Sequence, residues 1–183
     1  MNMRRDSAYT LVELLIVVAI LAVTAVVALP AAQPVTEFRA DAAAGEVAHA
    51  LRFARENAQH SGEQRLFDCN APANTIAVLA LTTSKTTTVT AGMVNHPSSG
   101  APYRLTLNAA PAGNNMALVR CTFTYTDNAT VASVAFDATG KPVRGLGSGD
   151  TRDKTLRSGQ IVLGAGHVVR KVDIDASGRI TVS

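Results

Sequence analysis

The sequence predicts an α+β protein: one long N-terminal helix, membrane-embedded in its first half, packed on an antiparallel β-rich head. Three observations carry this expectation. A nearly uncharged apolar run reaches Leu29 and stops at Pro30. Apolar residues then recur at helical spacing as far as Ser61-Gly62. From residue 64 the period shifts toward two.

The first element follows a short basic leader, residues 1–8, with Arg4 and Arg5. From Leu14 to Leu29 no side chain is charged, and Thr24 alone is polar. With Tyr9 to Val12 added, the run is about 20 residues long, roughly 30 Å as a helix, which matches a hydrocarbon core. Glu13 breaks the pattern, because a carboxylate near the start of such a helix is costly unless something pairs with it. Arg4 and Arg5 orient the segment: positive residues stay cytoplasmic, so the bulk of the chain faces the periplasm. A secretory signal peptide is the competing reading, with small residues for cleavage between Ala28 and Ala32. Glu13 inside the apolar segment argues against it. A twin-arginine signal lacks the expected apolar residues, since Asp6-Ser7 follows the arginine pair.

Ala8-Tyr9-Thr10-Leu11-Val12-Glu13, after the basic leader, resembles the cleavage and methylation signature of type IV prepilins and type II secretion pseudopilins. The resemblance implies cleavage between Ala8 and Tyr9 by an inner-membrane prepilin peptidase, with N-methylation of Tyr9. Ala8 stands where the family usually has glycine. Glu13 falls at the family's glutamate, and the implied role is assembly, its carboxylate neutralised by the free amino terminus of a neighbouring subunit. Pro30 falls where many pilins kink. The implied partners are other pilins or pseudopilins, the prepilin peptidase and an inner membrane assembly platform. The implied location is the inner membrane, single-pass with a periplasmic head, and a pilus or pseudopilus after assembly.

Residues 31–61 continue the helix, with Val35, Phe38, Val47, Leu51, Ala54 and Ala58 near multiples of three and four. Arg52 and Glu56 stand at i, i+4 and can pair. Ser61-Gly62 supplies the stop. Leu51-Arg52-Phe53-Ala54-Arg55-Glu56-Asn57-Ala58, followed by Leu66-Phe67-Asp68-Cys69-Asn70, resembles the FimT/GspH branch of minor pilins and pseudopilins. Arg55 and Glu56 read as a solvated helix face and as markers of that branch.

In the head the candidate strands are Gln64–Cys69, Thr75–Leu81, Thr86–Thr90, Tyr103–Asn108, Leu118–Thr126 and Val131–Asp137, separated by Pro-, Gly- and Asn-bearing loops. Phe136-Asp137-Ala138-Thr139-Gly140-Lys141 is echoed by Ile174-Asp175-Ala176-Ser177-Gly178-Arg179, each reading as strand, Asx-type turn, strand. The second copy closes the final hairpin. Gly145, Gly147 and Gly149 alternate without a Gly-Lys-Ser/Thr ending, so 143–150 reads as a flexible loop and not a phosphate site. Cys69 and Cys121 lie beyond the anchor. In an oxidising compartment the pair suggests one disulfide, the alternative being two buried thiols. Neither cysteine has a metal ligand at finger-like spacing.

The domain reading is 1–8 leader, 9–30 transmembrane helix, 31–62 amphipathic helix and 63–183 head. His49, His60, His96 and His167 are scattered singly, and no nucleophile elbow or His-x-x-x-His helix is present. No catalytic residue, cofactor or metal is read, and the sequence argues for a structural subunit rather than an enzyme. The net charge of +3 is too small to name a partner. DNA is left open without being favoured. Some FimT-like pilins bind DNA through a C-terminal Gly-Arg-x-Arg, but here Gly178-Arg179-Ile180 is followed by Thr181. Acids interleave the basic residues beyond Gly140. Weak or no binding is expected, with Arg179, Arg170 and Lys171 as the place to look.

Overall fold

The computed structural model describes residues 10–28, 32–83, 87–109 and 116–183. Residues 1–35 and 36–183 form two units. In the first, α1 spans Leu11–Ala28. Its run of aliphatic side chains carries no helix breaker, and its described side chains, Leu11 to Ala22, are all exposed. The join expected at Pro30 lies outside the described residues.

The head is built on α2, Ala32–Ser61. Ala40, Ala43, Ala44, Val47, Ala48, Ala50, Leu51, Ala54 and Ala58 are fully buried along one face. The face is mostly alanine, which favours helix and lets the backbone approach the sheets closely. Phe38 departs from the expected face and is 74% exposed. Nine residues at about 100° each put it on the side of α2 opposite Val47. The side chain of Val35 lies outside the described set. Gly62, at φ 70°, ends the helix as expected, its N–H bonded to the Ala58 carbonyl.

Among the described residues twelve strands follow: β1 Arg65–Asn70, β2 Thr75–Thr83, β3 Thr87–Met93, β4 Arg104–Thr106, β5 Ala117–Tyr125, β6 Thr130–Val131, β7 Ser133–Phe136, β8 Pro142–Val143, β9 Gly147–Ser148, β10 Leu156–Ala165, β11 Val168–Asp175 and β12 Ile180–Val182. They form two antiparallel sheets. One has seven strands, ordered β8-β7-β1-β2-β3-β9 with β4 beside β2, and the other five, ordered β12-β11-β10-β5-β6. One apolar cluster joins α2 to both, through Phe67, Ile76 and Val78 of the first sheet and Phe123, Ile161, Leu163 and Val172 of the second.

Three sequence expectations are corrected. The stretch read as one strand, Val131–Asp137, divides at Ala132, with β6 pairing β5 and β7 pairing β1, so the chain changes sheets there. The 143–150 stretch is an ordered flap rather than a flexible loop. β8 and β9 pair with β7 and β3, and Val143 and Leu146 cover Leu66, Leu81 and Ala135 on the far face of the larger sheet. β10, ten residues long, was absent from the candidate strands. Gly159 and Gly164 within it, and register shifts at Leu156/Ser158 and Val162/Leu163, disrupt the alternation by which a strand is recognised.

Candidate assembly motif and interaction surfaces

At the start of α1, Thr10 Oγ1 accepts the backbone N–H of Glu13 at 3.3 Å. The Thr10 carbonyl accepts the N–H groups of Glu13 and Leu14. Thr10 is thus the N-cap of a Thr-x-x-Glu start. Glu13 lies in the first turn, where the helix dipole favours a carboxylate. This local reason for Glu13 is legible in the Thr-x-x-Glu spacing. The cleavage pair Ala8 and Tyr9 lies outside the described residues. Among the described residues, no helix is both long and apolar enough to cross a membrane. The 18 residues of α1 extend about 27 Å at 1.5 Å each, slightly under a hydrocarbon core. The longer span expected from the sequence includes Tyr9, Leu29 and Pro30.

Cys69 and Cys121 form a disulfide with Cα atoms 6.3 Å apart. It joins β1 to β5 and so ties one sheet to the other. Tyr125 makes a second tie, its hydroxyl donating to the Ser133 carbonyl on β7 at 2.7 Å. Burial pushes the Tyr125 phenol well above its ordinary range.

The sequence echo becomes a pair of matching turns. Asp137 Oδ1 accepts the N–H groups of Thr139 at 2.9 Å and Lys141 at 3.0 Å. Asp175 Oδ1 accepts those of Ser177 at 2.8 Å and Arg179 at 3.0 Å. Gly140 and Gly178 have φ of 80° and 81°, the left-handed conformation that glycine adopts without steric cost. α2 holds both turns with side chains four residues apart. Arg55 Nη1 donates to the Gly178 carbonyl at 3.1 Å, and Gln59 Nε2 to the Thr139 carbonyl at 3.0 Å. Arg55 is therefore a half-buried strut rather than part of a solvated face. Glu56 is exposed as expected. Arg52 and Glu56 line one furrow together, yet they are not among the ion pairs of the described residues.

The three cations singled out for DNA do not converge. Arg170 is ion-paired with Asp41 of α2. Lys171, the next residue, projects to the opposite face of β11. Arg179 sits beyond the far end of that strand, its Nε 3.1 Å from Asp175.

The structure does gather two histidines that the sequence leaves apart. His49 Nδ1 lies 3.3 Å from the Tyr103 hydroxyl, and the His96 ring is 4.7 Å from the Tyr103 ring. Phe53 stacks on Tyr103 at 4.7 Å. His49, His96 and Tyr103 line a groove of about 490 Å³ with Glu46 and Arg104. Burial raises the Glu46 carboxyl, and burial together with Glu46 raises the Tyr103 phenol. His96 Nδ1 accepts the Ser98 N–H at 3.3 Å. The Ser98 hydroxyl lies 2.9 Å from the same nitrogen, and among the described residues no acid is bonded to His96, so the two contacts cap a turn. No three His, Cys, Asp or Glu side chains among the described residues gather as a metal site.

Residues 3–29 match the prokaryotic N-terminal methylation motif. No curated protein sequence matches the chain. Among solved structures, the minor pseudopilin EpsH from the type 2 secretion system of Vibrio cholerae is similar over 80% of this chain and 94% of its own, at 12% identity and a TM-score of 0.52. A second EpsH structure gives 79%, 96%, 13% and 0.51 in the same order. The type IV minor pilin FimU of Pseudomonas aeruginosa aligns over 79% of this chain and 87% of its own, at 15% identity and a TM-score of 0.43. The head has a pilin-like fold, a helix packed on antiparallel sheets as in EpsH, and it follows a prepilin-type N terminus.

Proposed function

We propose that the chain is a structural subunit of a type IV pilus or type II secretion pseudopilus, assembling through its N-terminal helix. The observation that carries this is the methylation motif over residues 3–29 joined to a head with the EpsH fold. In this reading the leader is cut after Ala8 and Tyr9 is methylated. The apolar run from Tyr9 to Pro30 holds the chain in the inner membrane with the head in the periplasm. Other pilins or pseudopilins, the prepilin peptidase and the assembly platform are its partners. An oxidising periplasm also suits a disulfide between Cys69 and Cys121. DNA capture is the weaker reading, since acids hold Arg170 and Arg179 and Lys171 faces elsewhere.

Mass spectrometry of the membrane-extracted chain tests this. The expected mature N terminus is methylated Tyr9. A chain beginning near Ala32 would identify a secretory signal peptide and end the pilin reading.

A further inference from the structure

Core residues of β10 and β11 alternate with residues on the outer face of the five-stranded sheet, and register fixes the neighbours there. Val162 stands between Arg120 of β5 and Lys171 of β11. In the next row Gly164 pairs with Val169, and Val119 Cγ2 lies 3.1 Å from where a Gly164 Cβ would be. Val119 is 59% exposed and Val169 51%. Among the described residues neither Arg120 nor Lys171 is ion-paired. On this face Asp173 accepts a bond from Gln160 Nε2 at 2.9 Å, and the Ser183 carbonyl accepts the Lys171 backbone N–H at 2.7 Å. This end of the sheet therefore presents exposed valines flanked by two cations.

On the opposite face of β11, Arg170 pairs with Asp41. The patch thus belongs to the end of the head beside the early turns of α2, and Asp41 follows Leu29 by only 12 residues. We propose that this patch rests on anionic lipid headgroups of the bilayer that holds α1, before the subunit enters a filament. This rests on the anchoring read above. The valines meet the interfacial region while Arg120 and Lys171 meet lipid phosphates, each cation strengthening contact with an anionic surface about fivefold.

The test uses the full chain in nanodiscs of phosphatidylcholine alone or mixed with phosphatidylglycerol. Acylation of Lys171 is followed by mass spectrometry, with Lys141, in the Asp137 turn, as the internal reference. The expected result is roughly fivefold slower labelling of Lys171 in the anionic discs, with Lys141 unchanged. Protection should disappear in Arg120→Gln and Val169→Glu, both at exposed positions, with melting curves checking that each variant is folded. Protection should also disappear in the unaltered chain at high salt. Equal Lys171 rates in the two discs overturn the docking. So does protection that appears only with several chains per disc, which marks a second copy as the occupant. A chain that copurifies with neither disc overturns the anchor and the docking together, whereas an unprotected Lys171 in a chain that does copurify overturns the docking alone.

Discussion

At the residue scale, single polar atoms hold the two sheets and their turns. Tyr125 is wholly buried, and its hydroxyl serves the Ser133 carbonyl. Tyr125→Phe leaves that carbonyl without its donor, and the expected cost is about 1–3 kcal/mol in urea unfolding. An unchanged midpoint would show that another donor serves Ser133. Asp175 behaves differently because it is exposed. The Ser177 hydroxyl first, and then the Arg179 N–H, hold its carboxyl down to about 2. A folded-state value below the ordinary one means that the contribution is complete above about pH 4 and is lost as pH falls toward 2. Unfolding at pH 5, 3 and 2 should show the unaltered chain losing more stability on this limb than Asp175→Asn. Parallel losses would remove the role assigned to the turn.

At the scale of elements, the disulfide and α2 carry the head. β1 and β5 belong to different sheets, and Cys69–Cys121 closes a chain separation of 52 residues between them. In the chain-entropy account such a crosslink stabilises by about 4 kcal/mol, or roughly 10 °C in melting temperature for a domain of this size. Replacing both cysteines with serine should lower the melting temperature by that order while α1 still associates with membranes. A melting temperature within a degree of the original would mean that the core and α2 alone fix the sheets. α2 works from the other side. Its alanine face fills the space between sheets, and Arg55 and Gln59 each hold one Asx turn. The turns were legible because Asp, Ser or Thr, and Gly recur at fixed offsets. Their common attachment to one helix was not, because Arg55 and Gln59 lie 123 and 80 residues from the turns they grip.

At the scale of the whole molecule, Glu13 carries the reading of the chain as a filament subunit. The helix dipole gives its carboxylate a local place in the first turn of α1, and in a packed bundle of such helices it can also meet a neighbour's amino terminus. Glu13→Leu should still insert and be cleaved but enter filaments poorly, because an unpaired amine buried in the bundle costs several kcal/mol. Fractionating sheared filaments against membranes checks this. Normal incorporation of the variant would leave Glu13 with its place in the first turn of α1 alone.

What the sequence determined by itself is local. The apolar run, the Thr-x-x-Glu start, the helix stop at Gly62, the alternation in β5, and both Asx turns depend on neighbours within a few residues, so a linear reading reaches them. Tertiary structure decided which strands share a sheet, where the chain crosses between sheets at Ala132, and that Phe38 faces outward while alanines face in. It also decided that Gly145 and Leu146 fold over Ala135 and Leu81, and that Arg170 and Arg179 are held by Asp41 and Asp175. These outcomes are set by burial and charge pairing between distant segments. A glycine in β10 reads like a turn, and a free arginine reads like a paired one, until the partner strand or helix is in place.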